Sequence, residues 1–204
     1  MTDLQTALPG HLSDRLGPVV DREAKIPRAL GALGPVADRD VVVVGGAHVG
    51  IAPRLAESGA RVTAISADDL TEPDISADAD PADVLVVAWS AFRGPTALEL
   101  AAARRLLRPG GRLLVVHDYG RDDVSRLVEP RPEYRDWSRR DGPFLGDGFK
   151  VHVVHCWWTF DSLEEARAFL TEAFGVAGEQ VSAQLTRPRL SYNVAIYHRT
   201  LDAA

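Results

Sequence analysis

Cysteine is almost missing: Cys156 is the single one in 204 residues, so no disulfide can form within the chain, which suits a reducing compartment. Long hydrophobic runs are missing too, and no segment approaches the roughly 18 consecutive apolar residues of a membrane span. The N-terminal residues lack a basic region followed by an apolar run, so no secretory signal is expected and the expected location is cytoplasmic. There is no excess of basic charge. The net charge of −6 argues against nucleic acid as the main partner, because binding a phosphate backbone needs a basic face. No repeat recurs at a solenoid period. What remains is ordinary for a globular protein, with 46% hydrophobic and 25% charged residues. The length suits one α/β domain over residues 1–204. The expected partner is a small molecule, with no nucleic acid and no membrane; self-association into a homo-oligomer stays open.

Residues 10–38 read as one or two short helices broken by Gly and Pro, for example Arg22–Leu33, within an N-terminal helical segment over residues 1–38. Val41-Val42-Val43-Val44 is a β-branched run of strand length, the pattern of a strand covered on both faces. Gly45-Gly46 makes a turn into a helix over Ile51–Ser58, where Pro53 falls in the tolerant first turn. Gly59 ends that helix and Arg61–Ile65 is a second strand, completing a right-handed βαβ unit. An acidic loop follows, with Asp68, Asp69, Glu72, Asp74, Asp78, Asp80 and Asp83, interrupted by Pro73 and Pro81. It lacks the central Gly and terminal Glu of a calcium loop and reads as solvated. Val84–Ala88 is the next strand, ending at Trp89-Ser90. A helix over Thr96–Leu107 places Leu98, Ala102 and Leu106 on one stripe. Arg112–Val116 is then a strand ending at His117-Asp118-Tyr119. After the Pro/Arg-rich stretch Glu129–Pro143, Lys150–Phe160 reads as a strand. Asp161, with Glu164 three residues on, starts a helix that stops at Gly175. Ser191–His198 is a last strand. This order favours a doubly wound sheet over a barrel.

Leu106-Leu107-Arg108-Pro109-Gly110-Gly111-Arg112-Leu113-Leu114-Val115-Val116 reads as a helix end, a Pro-Gly-Gly turn and a buried strand. With Val41–Ala56 and Ala82–Phe92 in the same order, it resembles the class I S-adenosylmethionine-dependent methyltransferases. The strand–helix–strand ending over Lys150–His198 is similar to that family's last two strands. The resemblance implies a methyltransferase-like Rossmann fold: one mostly parallel sheet with an antiparallel last strand, a nucleotide-binding-like core over residues 39–120 and a C-terminal part over 121–204. It implies a transferase that moves a methyl group from S-adenosylmethionine to a small molecule. It places the cofactor at Gly45, Gly46, Ala47, His48, Ser66, Trp89 and Ser90.

The chain departs from the family's pattern at definite positions. Val43 stands where the first strand carries an acid, and Ala47 and Val49 replace glycines of the turn. Ser66 replaces the acid that holds the ribose hydroxyls, and a neutral hydroxyl bonds about half as strongly as a carboxylate. The loop over residues 67–82 is too short for the family's third strand, which is expected to be lost. Two alternatives follow. One is a non-catalytic methyltransferase fold acting by ligand or protein binding. The other is a nicotinamide nucleotide site, since Gly45–Gly50 fits G-x-A-x-x-G. Valine at Gly45 is expected to remove ligand binding with little loss of fold.

His117 and Asp118 lie where open α/β sheets place ligands. The expected roles are His117 as general base and Asp118 as its orienting partner. His152 and His155 fall on opposite faces of a strand and Cys156 points away from His155, so no metal site is expected. Cys156 reads as a buried thiol, and Trp157 and Trp158 as core or interface. Arg131, Arg135, Arg139 and Arg140 either line a substrate entrance or pair with Glu133, Asp136 and Asp141.

Overall fold

The computed structural model describes residues 8–72, 80–128 and 131–202. Pro73, Asp74 and Asp78 of the acidic loop, residues 1–7, and the start of the Pro/Arg-rich stretch lie outside the described residues. Six strands are present: β1 Asp40–Gly45, β2 Arg61–Ile65, β3 Ala82–Ala88, β4 Leu107–Asp118, β5 Lys150–Thr159 and β6 Arg189–Leu201. The helices are α1 Gly10–Leu16, α2 Lys25–Leu33, α3 Ile51–Glu57, α4 Ala97–Leu106, α5 Pro132–Trp137 and α6 Leu163–Gln184. No helix among the described residues is long and apolar enough to cross a membrane.

The sheet has the order β2-β1-β3-β4-β6-β5. β2, β1, β3 and β4 run parallel, and β6 is antiparallel to both β4 and β5. The apolar runs explain the covering on both faces. Val84, Val86, Leu114 and Val116 enter one core cluster, while Leu85, Val87, Leu113 and Val115 enter the other, as alternation along a strand requires. This is the mixed, mostly parallel Rossmann-like sheet that the resemblance implies. β2 ends the sheet, and among the described residues no strand pairs with its outer edge. Arg61, Thr63 and Ala64 on it are exposed, consistent with a missing third family strand.

Three local readings need correction. The long C-terminal helix is capped by Ser162, whose hydroxyl accepts from the Glu165 amide at 3.0 Å, one residue later than Asp161 and Glu164. It also runs on past Gly175, which breaks the helix at φ 53° and ψ −128° without ending the segment. The Pro-Gly-Gly turn lies inside β4 as an outward loop: Ala82 pairs with Leu107 and Val84 with Arg112. Three residues are therefore accommodated beyond regular register. Arg108, at its base, reaches Asp83 at 2.8 Å and Asp40 at 2.9 Å, tying β3 and β1 to the loop. Arg61 of β2 adds a bond to Asp40 at 2.7 Å.

On the far edge, Val20 bridges to Trp158 and the Asp21 amide donates to the Trp157 carbonyl, so the N-terminal segment is stitched to β5. Trp158 is fully buried there, and Trp157 lies under the Arg189 guanidinium, 4.4 Å from its ring centre.

Candidate functional site

The residues predicted to hold a cofactor are largely engaged with the protein itself. Gly45 and Gly46 both have positive φ, which glycine adopts without penalty. A Cβ at Gly45 would lie 2.5 Å from the Ala88 carbonyl oxygen and 2.7 Å from Ser90 Oγ. One at Gly46 would lie 2.9 Å from the Ala88 Cβ and 3.1 Å from Ile51. The glycines are thus required by the close approach of β1 to the end of β3. The expectation that Gly45→Val spares the fold is corrected on this ground. Ala47 is exposed and His48 lies beside it in a short 3-10 turn, Ala47–Val49. Ser66 and Asp69 form a closed pair: the Asp69 amide donates to Ser66 Oγ at 3.1 Å and the Ser66 amide donates to Asp69 Oδ2 at 3.2 Å. Ser90 donates to the Val44 carbonyl at 3.3 Å. Trp89 is buried, and its Nε1 donates to Asp118 Oδ1 at 2.9 Å.

These positions keep the departures from the family's pattern: the ribose position offers a neutral hydroxyl already in a turn, and Val43, at the place of the first-strand acid, is fully buried in the core.

The cavity lies one strand further along. It measures about 480 Å³, within the usual range for a small-molecule site, and opens at the carboxyl end of β4. Of the predicted cofactor residues, Gly45, Gly46, Ala47, Ser66, Trp89 and Ser90 do not line it. Asp118 does, together with Tyr119, Tyr134 of α5 and Tyr192 of β6. Asp118 Oδ1 also accepts from the Tyr192 hydroxyl, and Oδ2 accepts from the Tyr134 hydroxyl at 3.3 Å. One carboxylate therefore orients Trp89, Tyr134 and Tyr192, joining the ends of β3, α5 and β6. The next turn is fastened to β6. Asp122 accepts from the Ser125 and Asn193 amides, each at 2.7 Å, and Asp123 accepts from the Ser191 hydroxyl at 2.7 Å and amide at 2.9 Å. Burial pushes the Asp122 carboxyl above the ordinary carboxylate range, against the bonds from Ser125 and Asn193.

His117 is not placed for general-base work. It has no solvent exposure, its Nε2 is 3.0 Å from the Phe92 carbonyl oxygen, and its ring packs 4.7 Å from Trp137. Consecutive strand residues project to opposite faces, which is why Asp118 reaches the cavity and His117 the aromatic core. Of the two predicted catalytic residues, only Asp118 is at the cavity.

Backbone strain gathers near the same end of the sheet. Trp89, Phe92 and Arg121 are three of six described non-glycine residues at positive φ, a sparsely populated region that persists only where surroundings enforce it. The remaining candidates are structural. His155 Nδ1 pairs with Asn193 Oδ1 at 2.7 Å, His152 is exposed on the opposite face, and Cys156 donates to the Tyr192 carbonyl at 3.2 Å. Arg139 pairs with Asp141 at 2.8 Å, whereas Arg131 and Arg135 line the cavity. Sequence reasoning passed over Tyr134 and Tyr192. The signal for Tyr134 was present: Pro132 followed by Glu133 is a good first turn for a helix.

The sheet order and strand directions are those of a methyltransferase-like Rossmann fold. No family model matches the chain, and no curated protein matches it in sequence. Solved structures do match. A protein of Anaeromyxobacter dehalogenans proposed to be a type II methyltransferase is 18% identical over 87% of this chain and 97% of its own, with a TM-score of 0.52. A domain from Corynebacterium diphtheriae proposed as a precorrin-6Y C5,15-methyltransferase is 16% identical over 88% and 97%, with a TM-score of 0.46. Coclaurine N-methyltransferase, solved with N-methylheliamine and S-adenosylhomocysteine, is 13% identical over 95% and 80%, with a TM-score of 0.44. At 18% identity, the likeness to the Anaeromyxobacter dehalogenans protein is one of fold.

Proposed function

We propose that this chain is a small-molecule-binding protein built on the methyltransferase fold, with its ligand seated at the carboxyl end of β4. The observation that carries this reading is the placement of the cavity. It is walled by Tyr119, Tyr134 and Tyr192 around Asp118, away from Gly45 and Gly46 of the β1 turn. Such a site is preorganised, because the bonds from Asp122 and Asp123 to β6 fix its wall before any ligand arrives. Its tyrosine hydroxyls and apolar surface suit a ligand with an aromatic or aliphatic body.

A second reading is methyl transfer from S-adenosylmethionine to a small molecule, favoured by the strand–glycine turn–helix at β1 and α3. Soaking crystals with a library of small aromatic fragments, and separately with S-adenosylmethionine, tests both. Fragment density between Tyr134 and Tyr192, with none of the sulfonium compound on Gly45–Ala47, is the expected result. S-adenosylmethionine density on that turn would replace the first reading with the second. Calorimetry with S-adenosylmethionine, S-adenosylhomocysteine and NADPH extends the test to solution, where no heat from any of the three is expected.

A further inference from the structure

Resting on that reading, we infer that the cavity at the end of β4 binds an oxyanion, a carboxylate or phosphate group carried on an apolar body, through Arg131, Arg121 and Arg135. Four arginines line the cavity: Arg121, Arg126, Arg131 and Arg135. Arg126 is engaged, with one nitrogen 2.8 Å from Gln184 Oε1 and another 3.8 Å from Asp123. The other three have no carboxylate within ion-pair distance among the described residues. Arg121 lies over the Tyr119 ring, 5.5 Å from its centre, and Arg135 is exposed at the rim.

Arg131 carries the strongest indication. Its Nη1 is buried and, among the described residues, has no hydrogen-bond partner. A guanidinium is always charged, so a buried nitrogen of it without an acceptor is costly unless something else completes it. The two carboxylates in the cavity wall already serve other donors, Asp118 taking Trp89, Tyr134 and Tyr192, and Asp122 taking Ser125 and Asn193. A planar fork of N–H groups matches a carboxylate or phosphate, and charge-assisted bonds of that kind are the strong ones. Tyr134, Tyr192, Val124 and Val128 supply the apolar wall for the rest of the ligand.

The test is calorimetry on the full chain with 3-phenylpropionate and phenyl phosphate as anionic probes and 3-phenylpropanol as the uncharged counterpart. The wild type should bind at least one anion at least tenfold more tightly than the alcohol, and raising the salt concentration should weaken that binding. Arg131→Gln should lose roughly 10- to 100-fold in affinity for the anion and nothing for the alcohol. Arg131→Lys should recover part of the loss. Arg139→Gln, whose guanidinium pairs with Asp141 outside the cavity, should bind as the wild type. Equal affinity for anion and alcohol, or unchanged anion binding by Arg131→Gln, overturns the oxyanion while leaving a small-molecule cavity standing. No binding of any of the three probes overturns both. The difference between the two anions identifies which group the arginines prefer. Thermal melting of the Arg131 variants beside the wild type separates lost binding from lost fold, and an unchanged Tm is expected because Nη1 has no hydrogen-bond partner among the described residues.

Discussion

Cys156 sits fully inside the sheet, donating to the Tyr192 carbonyl, and burial pushes its thiol far above the ordinary range. Only the thiolate reacts, so a disulfide dye should leave the native chain unmodified for hours and titrate one thiol in denaturant. Fast labelling of the native state would show that β5 and β6 open there. Gly45 is the other residue whose role is sharply defined. A valine at φ +73°, with its Cβ 2.5 Å from the Ala88 carbonyl oxygen, combines backbone strain with overpacking. Gly45→Val is expected to cost on the order of 3 kcal/mol, measurable by urea unfolding. A variant as stable as the wild type would mean that β1 and β3 do not approach so closely. His117 teaches the limit of reading a residue by its type and position. A histidine at a strand's carboxyl end suggests chemistry, but its face of β4 was decided by pairing with Ala195, which no local pattern discloses.

Among the elements, α4 is the best specified. Thr96 Oγ1 accepts from the Glu99 amide at 3.2 Å and Glu99 Oε2 accepts from the Thr96 amide at 2.9 Å, a closed capping box. Glu99 Oε1 also accepts from the Phe92 amide at 2.6 Å, so the same side chain pins the corner between β3 and α4. Glu99→Ala should cost about 2 kcal/mol, more than the roughly 1 kcal/mol expected for Thr96→Ala, lowering Tm by about 4–8 °C. Equal effects from the two would show that the bond to Phe92 contributes nothing. The elements legible from sequence are those whose pattern is local: the four valines of β1, the continuous apolar runs of β3 and β4, the stripe of α4. Gly175 was visible too, but whether a glycine ends a helix or merely bends it depends on what packs beyond it, here Val181 in the core. α5 was obscured because Arg and Pro surround it, and its buried partners are distant in sequence. Tyr192 escaped notice because a tyrosine within a strand resembles any core aromatic. It gains a role only when β6 is laid beside β4.

At the scale of the molecule, the amino ends of β1 and β3 are tied by charge. Hydrogen bonds from Arg61 and then Arg108 hold the Asp40 carboxyl down to about 2, below its ordinary 3.8. A carboxylate depressed on folding stabilises the native state above its unfolded pKa, and that contribution is lost as pH falls toward 2. Asp21 and Asp122 are raised by burial and act with the opposite sign, so the comparison must be made against a variant that leaves them intact. Asp40→Asn should therefore lose less stability than the wild type between pH 4 and 2, read as a flatter slope of urea midpoint against pH. Parallel slopes would contradict the assigned network.

The net charge of −6 makes the cavity's arginines a local exception on an acidic body, so the field that draws an anion in must be short-ranged and salt-sensitive. The proposed binding seat lies at the end of β4 and not at the glycine turn of β1. Amide chemical-shift mapping of the intact chain during titration with 3-phenylpropionate tests it most directly. The largest shifts should fall on Tyr119–Asp122 and Tyr134–Ser138. Largest shifts on Gly45–Ala47 and Ser66 instead would contradict it.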